Sequence, residues 1–569
     1  MKRRKTMYAL AALMTIGSMS ALPASAAPPS YPIDSKAVTT AEQTVVPTPV
    51  PEGSPKLLPT EVSKYAQYGY GNWQAGPGVP HQKRLDLMAP DYSGTSVTAK
   101  AKLTRFFTFT DIHITDKETP AQAILYGVKG GISSAYSPVM LYTTHVLDAT
   151  VQTVNALHKK DPLDFGLSLG DASNNAQYNE TRWYIDILDG KKINPDSGDK
   201  DDPIPGPLND YQDVYQSAGL DKSIPWYQVR GNHDHLFIGF LPHNEYSQKT
   251  LIGKDIINVG NVFAEPGGLS SRGFYHGSID GRTVYGDVIG VGPEKAFSTA
   301  PQVPAADANR RALSGREWLG EFLNTASNPV GHGFTKENID RDFACYSFEP
   351  KSGLPLKVIV LDNSQKHDDP NNPESLGYGH ASLDKERYDW LIKELDQGQA
   401  EGKLMIIASH IPIGVEPYPS MMAWSPYAPL TEKQFIAQLH EYPNLILWVA
   451  GHRHINDITA FKTPDPARPE LGFWQVETPS LRDFPQQFRT FDIVRNSDNT
   501  ISIFATAVDT AVKAGTPAAI SRSYAVAAQQ IFNNDISFPP SGVYNAELVK
   551  QLSPDMQKKI EQYGTPTKK

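Results

Sequence analysis

Five short blocks in this chain carry the residue types that hold metal ions. In order they are Asp111-Ile112-His113, Gly170-Asp171, Gly231-Asn232-His233-Asp234, Ser409-His410 and Gly451-His452-Arg453-His454. Together they offer carboxylate, carboxamide and imidazole groups, a mixture that suits Zn, Fe or Mn better than Ca, which prefers oxygen alone. One such dipeptide carries little weight, but five in series indicate a site for two ions. Two cations about 3.5–4 Å apart, bridged by a carboxylate, can hold a hydroxide and clamp the oxygens of a phosphoryl group during in-line displacement. Phosphate esters are among the slowest bonds to break in water, with enzymatic accelerations reaching ~10²¹. Concentrated positive charge and a pre-formed nucleophile meet that barrier.

The spacing within each block has its own logic. In Asp111-x-His113 the two side chains are i and i+2, which share a side of an extended chain and can reach one ion. Gly170 lets the backbone turn and frees the Asp171 carboxylate to bridge. Gly231 does the same before Asn232, whose carboxamide oxygen is a neutral ligand. His452 and His454 are again i and i+2, but in a tight loop they can serve different ions. His233 stands beside a ligand without being needed as one, so it can donate a proton to a leaving oxygen. Asp234 is the expected partner that orients its ring.

Each block follows a short apolar run that reads as a buried strand: residues 105–110, 165–169, 226–229, 404–408 and 445–450. Ligands therefore gather at strand ends, where open α/β sheets place their sites. Further strands are expected at 343–348, 357–361, 472–476, 488–494 and 501–508, and helices at 139–157, 183–188, 383–395 and 435–439, from their apolar spacing. The main domain is expected over 101–510, with insertions at about 190–222 and 236–340; the second is rich in Gly and Pro and suited to substrate specificity. Residues 27–100 begin as a Pro-rich linker and continue as an extension that wraps the domain, and 511–569 read as a helical tail on the outside.

At 569 residues, with 40% hydrophobic and 20% charged residues, the chain is an ordinary globular protein in composition. Lys2 to Lys5 are basic, a short apolar stretch follows, and Ala24-Ser25-Ala26 offers a cleavage site, the three parts of a secretory signal peptide. The expected location is secreted or periplasmic, with no membrane anchor after cleavage. Removing residues 1–26 takes away four basic residues and shifts the net charge from -9 to -13, which argues against a stable nucleic-acid partner. Cys345 is the only cysteine, so no internal disulfide can form.

As a set in this order, the blocks resemble those of the calcineurin-like metallophosphoesterase superfamily, over roughly residues 105–460. The resemblance implies an α/β fold of two mixed β-sheets packed face to face with helices outside, in four αββα layers. It implies that Asp111, His113, Asp171 and His454 hold one transition-metal ion and that Asp171, Asn232, His410 and His452 hold the other, with Asp171 bridging. His233 takes the substrate-contacting, proton-donating role. Purple acid phosphatases, a branch of the superfamily, carry a ligating Tyr three residues after the Gly-Asp aspartate; here that position is Asn174, so their iron-tyrosinate colour is not expected. The implied function is hydrolysis of a small phosphate monoester or diester by a metal-bound hydroxide. The rivals are an extracellular nuclease and a non-catalytic binding protein that keeps the fold.

Other polar residues receive plainer expectations. His235, His276, His332, His367 and His380 read as loop or surface histidines, and Arg482 as a member of a surface ion pair. Asn174 and Tyr178 are candidates for the pocket wall. Trp424, after the Met421-Met422 pair, reads as core packing.

Overall fold

The computed structural model describes residues 33, 36–122, 124, 136–239, 241–258, 273–364, 379–417, 420, 422–532 and 542–567. The proposed signal peptide and His367 lie outside the described residues. Two large sheets dominate. In the first, the strands run in the order Gln82–Arg84, Asn545–Lys550, Ile501–Asp509, Gln487–Asn496, Ala99–Phe109, Phe165–Ser168 and Trp226–Gln228, with Thr565–Pro566 pairing onto Ala99–Phe109. In the second, the order is Tyr346–Phe348, Leu356–Val360, Leu404–Ala408, Leu445–Ala450, Phe473–Glu477 and Asp457–Phe461.

Both sheets are mixed, and their parallel portions carry the blocks. Ala99–Phe109, Phe165–Ser168 and Trp226–Gln228 lie side by side and parallel. So do Leu404–Ala408 and Leu445–Ala450. Parallel strands are covered on both faces and need no polar alternation, which is why Leu445–Ala450 is apolar and buried at every position. All five blocks therefore sit just past the C-terminal ends of strands, as the apolar runs predict.

The sheets pack face to face. Phe106 stacks on Phe165 and Phe491 within the first sheet, with ring centroids 4.7 and 4.8 Å apart, and Phe165 meets Phe348 of the second sheet edge-on at 5.7 Å. Trp474 Nε1 of the second sheet donates to the carbonyl of Val549 in the first, at 3.1 Å. On the outer face of the first sheet Phe109 packs on Tyr184 of the helix Tyr178–Leu188. On the outer face of the second, Trp448 packs on Phe435 of the helix Glu432–Leu439, beside Leu391 and Leu395 of the helix Lys385–Ala400. The result is the four-layer αββα arrangement.

Two regions depart from expectation. Residues 511–569 are not an outer helical tail: after the helix Pro517–Phe532, Asn545–Lys550 enters the first sheet between Ile501–Asp509 and Gln82–Arg84. The strand is needed there because the sheet would otherwise end on the long, largely apolar Ile501–Asp509 edge. Residues 36–100 are built rather than linker-like: Gln43–Pro47 pairs with Trp73–Pro77, and Leu57, Val62, Tyr65 and Tyr70 pack against Ala527. The 236–340 insertion contains the helix Glu245–Ile252 and a hairpin of Phe274–Asp280 with Asp287–Pro293.

One buried ion network ties the third block to the second sheet. Arg230, immediately before Gly231, reaches Asp362 through Nε at 3.1 Å and Nη2 at 2.6 Å. Arg387 holds the other Asp362 oxygen at 3.5 Å, and all three side chains are buried. Removing one member of such a network strands buried charge. Asp362→Ala is expected to lower stability by about 3–5 kcal/mol, read as a lower urea midpoint; an unchanged midpoint would show the network to be incidental.

Candidate metal centre

The block-bearing loops are zipped to one another by their backbones. Asp111 N donates to Gly170 O at 3.1 Å, His113 N to Asp171 O at 3.0 Å and Ile114 N to Ala172 O at 2.9 Å. Gly451 N donates to His410 O at 2.9 Å, and His452 N to Asp111 Oδ2 at 2.9 Å, which joins the last block to the first. The i, i+2 reasoning from extended geometry does not hold. Asp111, His113, Asp171, His452 and His454 have φ of 53°, 46°, 51°, 71° and 59°, in the left-handed region. Non-glycine residues adopt it only when surrounding contacts hold them there. The chain turns sharply at these five residues, and that turn, not strand alternation, aims their side chains.

Close packing fixes the glycines of these blocks. A Cβ on Gly231 would lie 2.2 Å from Asp171 Oδ1, and one on Gly451 2.6 Å from Asp111 Oδ2. The loops can approach only because these positions have no side chain.

The predicted ligands converge. Ligand atoms of Asp111, His113 and His454 lie within 4.8 Å of one another, as do those of Asp171, His410 and His452. Asp171 Oδ2 stands 3.2 Å from His410 Nε2 and 3.6 Å from His113 Nε2, between the two groups. Asp111 Oδ1 faces His454 Nε2 at 3.1 Å, His113 Nε2 at 3.7 Å and His410 Nε2 at 3.9 Å. His113 and His454 bring their Nε2 atoms to 3.3 Å, and His410 Nε2 meets His452 Nδ1 at 3.2 Å. Ring nitrogens this close repel unless a proton or a cation lies between them. The buried Oδ1 of Asn232 and Nε2 of His452 have no hydrogen-bond partner among the described residues. Buried polar atoms are ordinarily paired, so orphaned donor atoms at a point of crowded lone pairs fit a cation pair.

The electrostatics lead to the same point. Burial opposes ionisation of Asp111, but His454 and His410 outweigh it and hold its carboxyl well below the usual range. Asp171 is likewise lowered, against burial, by His410 and His233. Burial works against charge on His410 and His454 too, yet Asp171 and Asp111 draw the first up to about 9, and Asp111 and Asp483 draw the second up to about 10. Without metal, protons on these two rings supply the positive charge that the carboxylates demand. The partners of the far ring nitrogens leave Nε2 aimed inward: His410 Nδ1 donates to Leu169 O at 2.8 Å, and His454 Nδ1 lies 2.6 Å from Asp483 Oδ2. Such outer contacts orient metal-ligating histidines.

His233 is buried beside the same cluster, its ring meeting that of His113 edge-on at 4.5 Å. The expectation that Asp234 orients this ring is corrected. His233 Nδ1 donates to the carbonyl of Asn174 at 2.7 Å. Asp234 instead accepts N–H bonds from Gly231, Asp171, Ala172 and Ser173 at 2.8–3.1 Å, bracketing the second and third blocks together. An aspartate beside a ring in sequence points away from it when the backbone turns between them.

Two residues at the site, Arg482 and Asp483, were not recognised as such from sequence, while Asn174, expected at the pocket wall, does more than line it. Asn174 holds His233 through its carbonyl and accepts Arg482 Nη1 through its side chain at 2.8 Å. Arg482 is buried, not in a surface ion pair, and Asp483 orients His454. The signal that could have found the last two is positional: they follow the strand Phe473–Glu477, just as the five blocks follow theirs. Of the other histidines expected in loops or on the surface, His235, His332 and His380 lie in loops and His276 in a strand, and all four are buried. His332 stacks on Trp226 at 3.5 Å, His380 Nδ1 donates to Ala423 O at 2.8 Å, His235 bonds Ser364 at 3.0 Å, and His276 is buried. Tyr178 lies under the Arg311 guanidinium at 3.8 Å, and Trp424 stacks on Phe435 in the core as expected.

No family model and no curated protein matches the chain. Solved structures that resemble it include a dimetal phosphatase from Danio rerio, at 11% identity and TM-score 0.38 over 72% of this chain and 100% of that one. They also include purple acid phosphatase PPD1 from yellow lupin (Lupinus luteus) seeds, at 10% identity and TM-score 0.31 over 76% and 54% of the two chains. A third is GAP50, the anchor in the inner membrane complex of Plasmodium, at 12% identity and TM-score 0.29 over 73% and 86%. At such identities and scores, what the site can do rests on its own residues. No helix among the described residues is long and apolar enough to cross a membrane.

The proton balance gives a direct prediction. At pH 7.5, below about 9 and about 10, His410 and His454 are both protonated in the metal-free chain. A nitrogen must lose its proton to ligate a cation. Loading metal-free protein with Zn should therefore release about two protons per chain, and affinity should rise as pH climbs toward 9–10. Calorimetry in buffers of different ionisation enthalpy measures this; binding heats independent of buffer would contradict it.

Proposed function

We propose that the protein is a metal-dependent phosphoric ester hydrolase with a dinuclear centre. In this reading Asp111, His113, Asp171 and His454 hold one ion, and Asp171, Asn232, His410 and His452 the other. The observation that carries it is the convergence of these side chains, from five strand ends, on one buried place where Asn232 Oδ1 and His452 Nε2 lack partners. The five-block order shared with the calcineurin-like superfamily supports the choice of phosphate ester. Bound there, a pair of Fe, Mn or Zn ions supplies positive charge for the phosphoryl oxygens and a nucleophile from water at neutral pH. Export behind the signal peptide at 1–26 and a small-molecule phosphate ester as substrate belong to the same proposal.

His233 is the proton donor of this scheme. Burial, offset only partly by Asp171, pushes its ring down to about 3, so it is neutral in the free protein. Its Nδ1–H is committed to Asn174, and Nε2 is the atom left for substrate. A bound phosphate brings negative charge that favours a proton on Nε2, and that proton then passes to the departing alcohol. Arg482 acts through Asn174 as a positioning residue, since it grips the side chain of the residue whose carbonyl sets the ring.

Two experiments test the reading. The pure protein should carry about two transition-metal ions per chain, and Asp171→Ala or His454→Ala should lower that content and nearly abolish hydrolysis of aryl phosphate mono- and diesters assayed side by side. Near-normal rates in either variant would refute the ligand assignment. His233→Ala should slow alkyl phosphates by about 10²–10⁴-fold while sparing esters with acidic phenol leaving groups. Equal losses across leaving groups would rule out proton donation.

A further inference from the structure

A second cluster of ligating groups lies away from the Asp/His centre, where the loop after the first block meets the 190–222 insertion. Carboxylate oxygens of Glu118, Asp196 and Asp201 lie within 4.8 Å of one another. Glu118 is only 1% exposed. The carboxamide of Gln212, only 2% exposed, ends against them: its Nε2 lies 3.1 Å from Glu118 Oε2 and 3.2 Å from Asp201 Oδ1. Its Oε1 is buried and without a hydrogen-bond partner among the described residues, as are Asp196 Oδ1 and Asp201 Oδ2. These groups face a common point beside Gly281. A Cβ there would meet Gln212 Nε2 at 2.5 Å, Glu118 Oε1 at 2.5 Å and Asp201 Oδ1 at 2.8 Å.

The charge does not balance within the chain. Lys117 is the cation at this cluster; its Nζ donates to Pro195 O at 2.6 Å and stands 5.4 Å from the Tyr211 ring centre. Arg310 is committed to Asp116 at 3.0 Å, and Arg282 to Asp280 at 2.7 Å. With all three carboxylates ionised against one ammonium, two negative charges would be left. Burial accordingly pushes Glu118 up to about 8 and Asp196 up to about 6. The neighbouring Asp202, Asp210 and Asp213 differ, because Asp210 and Asp213 already accept backbone N–H bonds of their own loop.

We propose that Glu118, Asp196, Asp201 and the Gln212 carboxamide oxygen form a binding site for a calcium ion. All the donors are oxygen, the set that Ca²⁺ prefers and that Zn or Fe does not. A half-turn of the Gln212 amide exchanges its nitrogen for its oxygen, two atoms of nearly equal size, and puts an acceptor where the two carboxylates now receive an N–H. The ion displaces the proton that burial leaves on Glu118 at neutral pH and cancels the two negative charges of the fully ionised set. It also staples two separate pieces of chain: residues 114–122, which follow His113, and the 194–213 loop.

The test uses the full chain, and the parent and the carboxylate variants retain their transition metals. Calcium chloride is titrated against protein freed of calcium, and binding is read by equilibrium dialysis with radioactive Ca²⁺ and by thermal melting. One ion per chain is expected, with a Kd of about 10⁻³ M or tighter, and a rise in melting temperature. Glu118→Gln, Asp201→Asn and the more exposed Asp196→Asn should each weaken binding by about tenfold or more, while His454→Ala should bind calcium like the parent. Magnesium at equal concentration should not compete. The proposal is overturned by no binding at several millimolar calcium, by unchanged binding in a folded Asp196→Asn, or by loss of binding in His454→Ala. Equal competition by magnesium would overturn the assignment to calcium.

Discussion

Crowded negative charge and lone pairs, buried where water cannot relieve them, are the constraint on which the rest of this molecule depends. Asp111 and Asp171 are ionised in the interior, and the imidazoles of His113, His410 and His454 face them at 3.1–3.9 Å. Desolvated charges of one sign are tolerated only with compensation close at hand. In the bare chain the compensation is a proton on His410 and another on His454. Under the proposed function, two cations take the place of these protons.

Holding that arrangement shapes the surrounding fold. Five of the proposed ligand residues are held in left-handed backbone conformations, and glycines stand where a methyl group would strike a carboxylate. Strain of this kind persists only where neighbouring structure over-determines it. Here the neighbours are the parallel strands behind each loop, the backbone bonds that zip the first and second blocks, and the Asp234 carboxylate that gathers four N–H groups. The face-to-face sheets bring three blocks from one side and two from the other.

Much of this was legible in the sequence because it obeys local rules. Leu445–Ala450 and Leu404–Ala408 are unbroken apolar runs, as strands buried on both faces must be, and the ligands follow directly. The outer contacts were not legible, since Asn174 with His233, Arg482 with Asn174 and Asp483 with His454 join segments 29 to 308 residues apart through no repeating pattern. Asp234 shows the opposite error: adjacency in sequence suggests a contact that a turn in the backbone removes. The strand Asn545–Lys550 hid because it buries a lysine. Its ammonium is held by the carbonyls of Glu470 and Gly472, which no reading of periodicity would anticipate.

The central claim is that these side chains coordinate a pair of cations. X-ray absorption at the metal edge of the purified protein tests it most directly. The account predicts a first shell of oxygen and nitrogen with outer scattering from imidazole rings, and a metal–metal distance of about 3.5–4 Å. Absence of bound metal, or an ion surrounded by water alone with no imidazole scattering, would contradict it.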